Sequence, residues 1–153
     1  MKYGALTIVA AATLALAGLS AFAQETTISG FSNVSAYLHA GPGNDFPVVA
    51  HVPPGSSMNI TGCSQAFVWC DVTLDGNRGW IEGRYLDSVM NSENVNVAEF
   101  GRAIAVPTVS FDQRTYWRHN YRSYPFYSSP QSWNLLPQTP AESRATRYNS
   151  VDE

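Results

Sequence analysis

The sequence predicts a small all-β domain, an antiparallel barrel of short strands stapled by one disulfide and followed by a largely irregular C-terminal tail. Three observations carry this expectation. Between residues 36 and 86 the apolar runs are brief, and each ends at Gly, Pro, Asn or Asp, residues that supply positive φ, a fixed φ or local side-chain hydrogen bonds. The turns between them are far shorter than the crossover that a parallel pair needs, which leaves antiparallel pairing. Cys63 and Cys70, the two cysteines of the chain, stand at hairpin spacing.

In chain order, Lys2 precedes an apolar run from Ala5 to Leu19, and Ala21-Phe22-Ala23 supplies the small-x-small pattern of a signal peptidase site. Residues 1–23 therefore read as a secretory signal peptide, with the mature chain expected to begin near Gln24. The run is shorter than the roughly 20 apolar residues of a spanning helix, so no membrane span is expected after cleavage. Gln24, not a cysteine, directly follows Ala23, so a lipid-attached form is not expected, and the expected destination is the periplasm or the medium. The chain carries 9 basic and 12 acidic residues. Cleavage removes Lys2, leaving 8 against 12 and a net charge of −4, a balance that disfavours nucleic acid as a partner.

Residues 24–90 are expected to form the barrel domain. Gly41-Pro42-Gly43-Asn44-Asp45 is a loop, Phe46 to Val52 a strand and Pro53-Pro54-Gly55 a turn. Strands follow over Met58 to Cys63 and Phe67 to Leu74, and Asp75-Gly76 suits a tight hairpin before Arg78 to Glu82. A domain of about 60 residues buries only about 60% of its unfolded surface and needs a staple. In an oxidising compartment Cys63 and Cys70 read as that staple, worth roughly 2.5 kcal/mol on the loop-entropy model. A metal site would want four ligands close together, whereas His39, His51 and His119 are scattered, and no cofactor is implied. Strict alternation puts Val68, Cys70, Val72 and Leu74 on one face but Cys63 on the face of Asn59 and Thr61. Gly62 is expected to mark a bulge that resets it.

The ordered series AGPG, FPVV, PPG, WCDV, DGNRGWI and RYL resembles the bacterial SH3-like domain. The matching positions are Gly41, Pro42, Gly55, Trp69, Val72, Gly79, Trp80, Tyr85 and Leu86, while His39 stands where that family often has Arg. The resemblance implies an SH3-like barrel and, as function, recognition of cell-wall peptides or glycans. Trp80 fits the family pattern as a structural residue.

By alternation Trp69 lies opposite Val68 and Val72, on the outer face of a small barrel. Two explanations compete there. Trp69 packs under a loop or the tail, or Trp69 joins Tyr37 and Tyr85 in an aromatic groove for an extended peptide or glycan.

Residues 91–106 form a linker or accessory element. Asn91-Ser92-Glu93-Asn94 is polar, and Val95, Val97, Phe100 and Ile104 fit neither strand nor helix spacing. A last strand or short helix packed on the barrel is one reading, and it would cover Trp69. Residues 107–153 form the tail. Its first part interleaves eight aromatics with Arg114, Arg118 and Arg122, whose spacing would make a basic stripe on a helix. Tyr, Trp and Asn are mediocre helix formers, and Pro125 and Pro130 limit any such run. That part is either a flexible tail partly wrapped on the domain or an adhesive segment suited to anionic polymers, lipid headgroups or an acidic protein face. Residues 134–153 have almost no apolar content and are expected to be disordered.

No catalytic constellation emerges, since both cysteines are expected to be bonded and Asp112 and His119 have no rigid scaffold. The expectation is a non-catalytic exported module that recognises a cell-envelope polymer, a peptidoglycan peptide or glycan, with docking on another envelope protein and no polymer binding as the alternative. An open groove at Trp69 favours the polymer, and a groove filled by the chain's own tail favours the protein.

Overall fold

The computed structural model describes residues 28–137. The expected signal peptide and the expected disordered end beyond residue 137 lie outside the described residues. Eight short strands, β1 (Ile28–Ser32), β2 (Ala36–His39), β3 (Val48–Val52), β4 (Ser57–Cys63), β5 (Trp69–Leu74), β6 (Asn77–Glu82), β7 (Leu86–Met90) and β8 (Glu93–Asn96), make one sheet. Its order is β3-β2-β6-β5-β4-β1-β7-β8, every pair is antiparallel, and among the described residues no ladder joins β3 to β8, so the expected barrel is not closed by hydrogen bonds. The all-β, SH3-like expectation holds. No helix among the described residues is long and apolar enough to cross a membrane.

Local chemistry explains the centre of this sheet. Asp75 (φ 48) and Gly76 (φ 81) both take left-handed conformations, the requirement of the two-residue turn that matches strand twist, and they join β5 to β6 in the register Leu74↔Asn77. On the other side of β5 the pairing steps from Ile60↔Val72 to Gly62↔Asp71, so Thr61 and Gly62 together oppose one residue. That bulge brings Cys63 opposite Cys70, and the two form the disulfide. Gly62 serves a second need. A Cβ there would stand 2.6 Å from Val109 Cγ1, because residues 107–109 run alongside β4. The Cys63 N–H donates to the Pro107 carbonyl, and the Val109 N–H to the Cys63 carbonyl, both at 2.8 Å.

Alternation buries Leu38, Val52, Ile60, Val72, Ile81 and Leu86 in one core, with the disulfide among them. Each strand is too short to hold this core alone. The sheet does so by pooling apolar residues from β2 to β7, with Ile28 of β1 packed against them, each worth about 1.5–3 kcal/mol when fully buried.

Several local readings change. β1 precedes the first strand expected from sequence, since ISGFS carries a weak alternation and gains its place by pairing with β4 and β7. Phe67 is not in β5, because Ala66 (φ 58) and Phe67 (φ 54) are left-handed within a short 3-10 turn at Gln65–Phe67. Phe46 lies outside β3 and is buried in a second cluster. The stretch read as a polar linker is a hairpin, with Asn91 (φ 53) and Ser92 (φ 67) as its turn and Glu93 and Asn94 inside β8. A single helical turn, α1 (Val97–Phe100), follows. The Asn96 side chain accepts from the Ala98 N–H, and Val97 is buried in the first core.

The Arg-aromatic stretch forms α2 (Gln113–Asn120) and two short 3-10 turns, Pro125–Ser128 and Pro130–Asn134. Weak propensity is overridden because Asp112 caps the helix, accepting from the Thr115 N–H at 2.8 Å, and because Trp117 is buried. Within the part expected to be disordered, Asn134 ends the last 3-10 turn and Leu135 packs on the second cluster.

Candidate functional site

Along β5 the side chains of Trp69, Asp71 and Thr73 point away from the first core, and across β6 they meet Glu82, Trp80 and Arg78 in turn. His39 of β2 stands opposite Trp80. This is the outer aromatic face expected from alternation. It is not open.

A second cluster lies over it, built from Phe46 of the long loop and from Phe111, Tyr116, Trp117 and Tyr121 of the C-terminal segment. Phe111 and Tyr116 meet the Trp80 ring at 5.5 and 5.9 Å. Trp117 is fully buried and stacks near Phe126 and Trp133, each at 4.9 Å. Its indole N–H donates to the Ala40 carbonyl at 2.6 Å. Edge and tilted geometries of this kind add about 0.5–1.5 kcal/mol per pair to the area buried.

Polar groups fix the position of this layer. Asp71 is buried and accepts two hydrogen bonds from Arg78 Nε at 3.1 Å and one from Nη2 at 2.6 Å. The Tyr116 hydroxyl donates to the same carboxylate at 2.5 Å, and the Tyr121 hydroxyl donates to the Arg78 carbonyl at 2.7 Å. The Arg78 guanidinium also lies 5.6 Å from the centre of the Tyr116 ring. Asp71, Arg78 and Tyr116 thus tie the hairpin β5–β6 to α2. Asp71 and Arg78 are diagonal neighbours across that hairpin, so the turn prediction contained their pairing. Tyr116 left no such trace in the sequence.

Burial, reinforced by Tyr121 and by the Asp71 charge, holds the Tyr116 hydroxyl in its neutral form far above the usual phenol range. Burial first, then Asp71 and Tyr124, pushes Tyr121 the same way. Unfolded tyrosines lose their protons near pH 10 and these folded ones do not, so their contribution is complete below about pH 10 and is lost as pH rises above it. Melting temperature should fall progressively above about pH 10, and Tyr116→Phe should flatten that fall. A wild-type melt that is level through this range would contradict the burial of both hydroxyls.

The three residues predicted to bind ligand differ in access. Tyr37 is 54% exposed and meets His51 edge-on at 5.3 Å. Trp69 is 1% exposed, with the His39 ring edge-on at 5.6 Å and its backbone N–H donating to Ser64 Oγ at 3.1 Å. Tyr85 is half-buried, with the Arg84 guanidinium 4.7 Å from its ring centre and Arg84 Nη2 donating to its hydroxyl at 2.8 Å. An open groove with Trp69 in its floor is therefore not present, because the chain's own residues enclose that ring. His39, aligned with a family Arg, is engaged through Nδ1 with the Phe46 carbonyl at 2.9 Å. Among the described residues no three of His, Cys, Asp and Glu gather as metal ligands.

Residues 34–87, which are 54 of the chain's 153, match the family model for the bacterial SH3 domain. No curated protein matches the chain. Among solved structures, that of NlpC2 from Trichomonas vaginalis aligns with 21% identity and a TM-score of 0.37, over 40% of this chain and 23% of its own. The chain therefore spans less than a quarter of that protein, a likeness too loose to inform function.

Proposed function

We propose that this chain, in which residues 34–87 are a bacterial SH3-like domain, is an exported, non-catalytic interaction module that docks on another protein of the cell envelope. The observation that carries this reading is the closure of the outer aromatic face by Phe111, Tyr116, Trp117 and Tyr121 of the same chain. A polymer laid across that face would have to displace a buried tryptophan and a buried, charge-assisted hydrogen bond to Asp71. Displacing either is costly, since leaving such a group unpaired costs about 1–3 kcal/mol before any contact is regained.

The disulfide supports an oxidising compartment, in keeping with the signal peptide read at residues 1–23. The absence of an enzymatic role is supported by how the reactive groups are used. Both cysteines are bonded to each other, and Asp112 is engaged in capping α2.

Affinity capture and sedimentation test the proposal together. The mature protein is expected to form a saturable complex with one identified envelope protein, re-formed from the two purified components, and to stay in the supernatant when purified peptidoglycan sacculi are spun down. The polymer reading retains one open aromatic residue of the three, Tyr37. Sedimentation with sacculi that Tyr37→Ala abolishes would establish that reading and reject this one.

A further inference from the structure

The segment that closes the aromatic face presents a second surface to solvent. Residues 107–137 contain three arginines and one carboxylate, Asp112, for a net charge of +2 in a chain that is negative as a whole. One turn apart on α2, Arg114 and Arg118 are both exposed, and neither guanidinium pairs with a described carboxylate. They border a cleft of about 590 Å³ whose other walls include Asp112, Tyr127, Trp133 and Asn134. The cleft lies wholly outside residues 34–87.

From this arrangement we infer that the cleft between α2 and the two 3-10 turns is a docking site for an acidic peptide segment of a partner protein. The inference rests on the protein-docking reading above and names the surface responsible. Two guanidinium forks at helix spacing can each take a carboxylate in a two-point contact, and the Tyr127 and Trp133 rings offer apolar area for the chain between them. Asp112 offsets one of the two charges, and its carboxylate already accepts from Thr115. Neutral sugars fit less well, because two of the uncharged donors at the cleft are taken. Gln113 Nε2 donates to the Ser132 carbonyl at 2.6 Å, and the Trp133 indole N–H donates to the Tyr127 carbonyl at 2.8 Å.

The test uses the full mature chain and a fluorescein-labelled oligoglutamate peptide, followed by anisotropy. The peptide should bind, lose affinity as salt is raised, and have no counterpart in oligoglutamine. The double variant Arg114→Ala, Arg118→Ala should bind about tenfold more weakly at an unchanged melting temperature, and the double Lys variant should recover part of the loss. Equal binding of oligoglutamine, unchanged binding by the double Ala variant, or tighter binding to oligogalacturonate or to phosphatidylglycerol vesicles would overturn the assignment. Failure here is separable from failure of the docking function. A captured envelope protein that still binds the double Ala variant rejects this cleft and leaves the function standing, whereas the lack of any captured partner rejects the function itself.

Discussion

Trp117→Ala should lower the melting temperature by more than about 10 °C. Truncating a buried tryptophan costs about 3–5 kcal/mol, and each 1 kcal/mol moves the midpoint of a domain this size by about 4–8 °C. Several losses coincide at this residue. The indole fills the space between the loop of Ala40 and Phe46 and the rings of Phe126 and Trp133, and its removal leaves the Ala40 carbonyl without the donor it has at 2.6 Å. The effect should also reach the sheet, since Tyr116 on the same helix and Tyr121 directly after it hold Asp71 and Arg78. Thermal melts by circular dichroism measure it directly. A shift under about 3 °C would show the C-terminal segment to be a loose cover rather than part of the folded unit.

Trp69→Ala is the second large effect, and its direction decides between two roles. With the ring 1% exposed, the substitution opens a cavity and should also cost about 3–5 kcal/mol. Tyr37→Ala, at an exposed position, should change stability by no more than about 0.5 kcal/mol. Comparing the two variants in one melt series separates packing from recognition. If Trp69→Ala left the melting temperature near wild type while abolishing sedimentation with sacculi, the ring would be a ligand contact, and the closed face described above would have to open in solution.

Much of the sheet was legible because its signals are local. Asp75-Gly76 demands a turn from backbone sterics alone, and one tight turn specifies the whole β5–β6 register. The mismatch between Cys63 and Cys70 in a strict alternation required an extra residue between them, which the bulge at Thr61 and Gly62 supplies. Strand β8 and helix α1 were not legible. Asn91-Ser92 lacks the glycine that marks most left-handed turns, and four polar residues in a row hide a strand that gains its stability from pairing with β7.

Taken by itself, the sequence determined the antiparallel sheet, the disulfide and the outward direction of Trp69, because turn sterics, loop closure and two-residue alternation act within a few positions of each residue. Only the tertiary structure decided what meets that outward face. Trp117 and Ala40, or Tyr116 and Asp71, stand 77 and 45 positions apart, and no local rule couples them. Their contact depends on aromatic area and on a buried carboxylate that needs donors. Those demands are non-directional along the chain, so the sequence contained the pieces while the fold chose their partners.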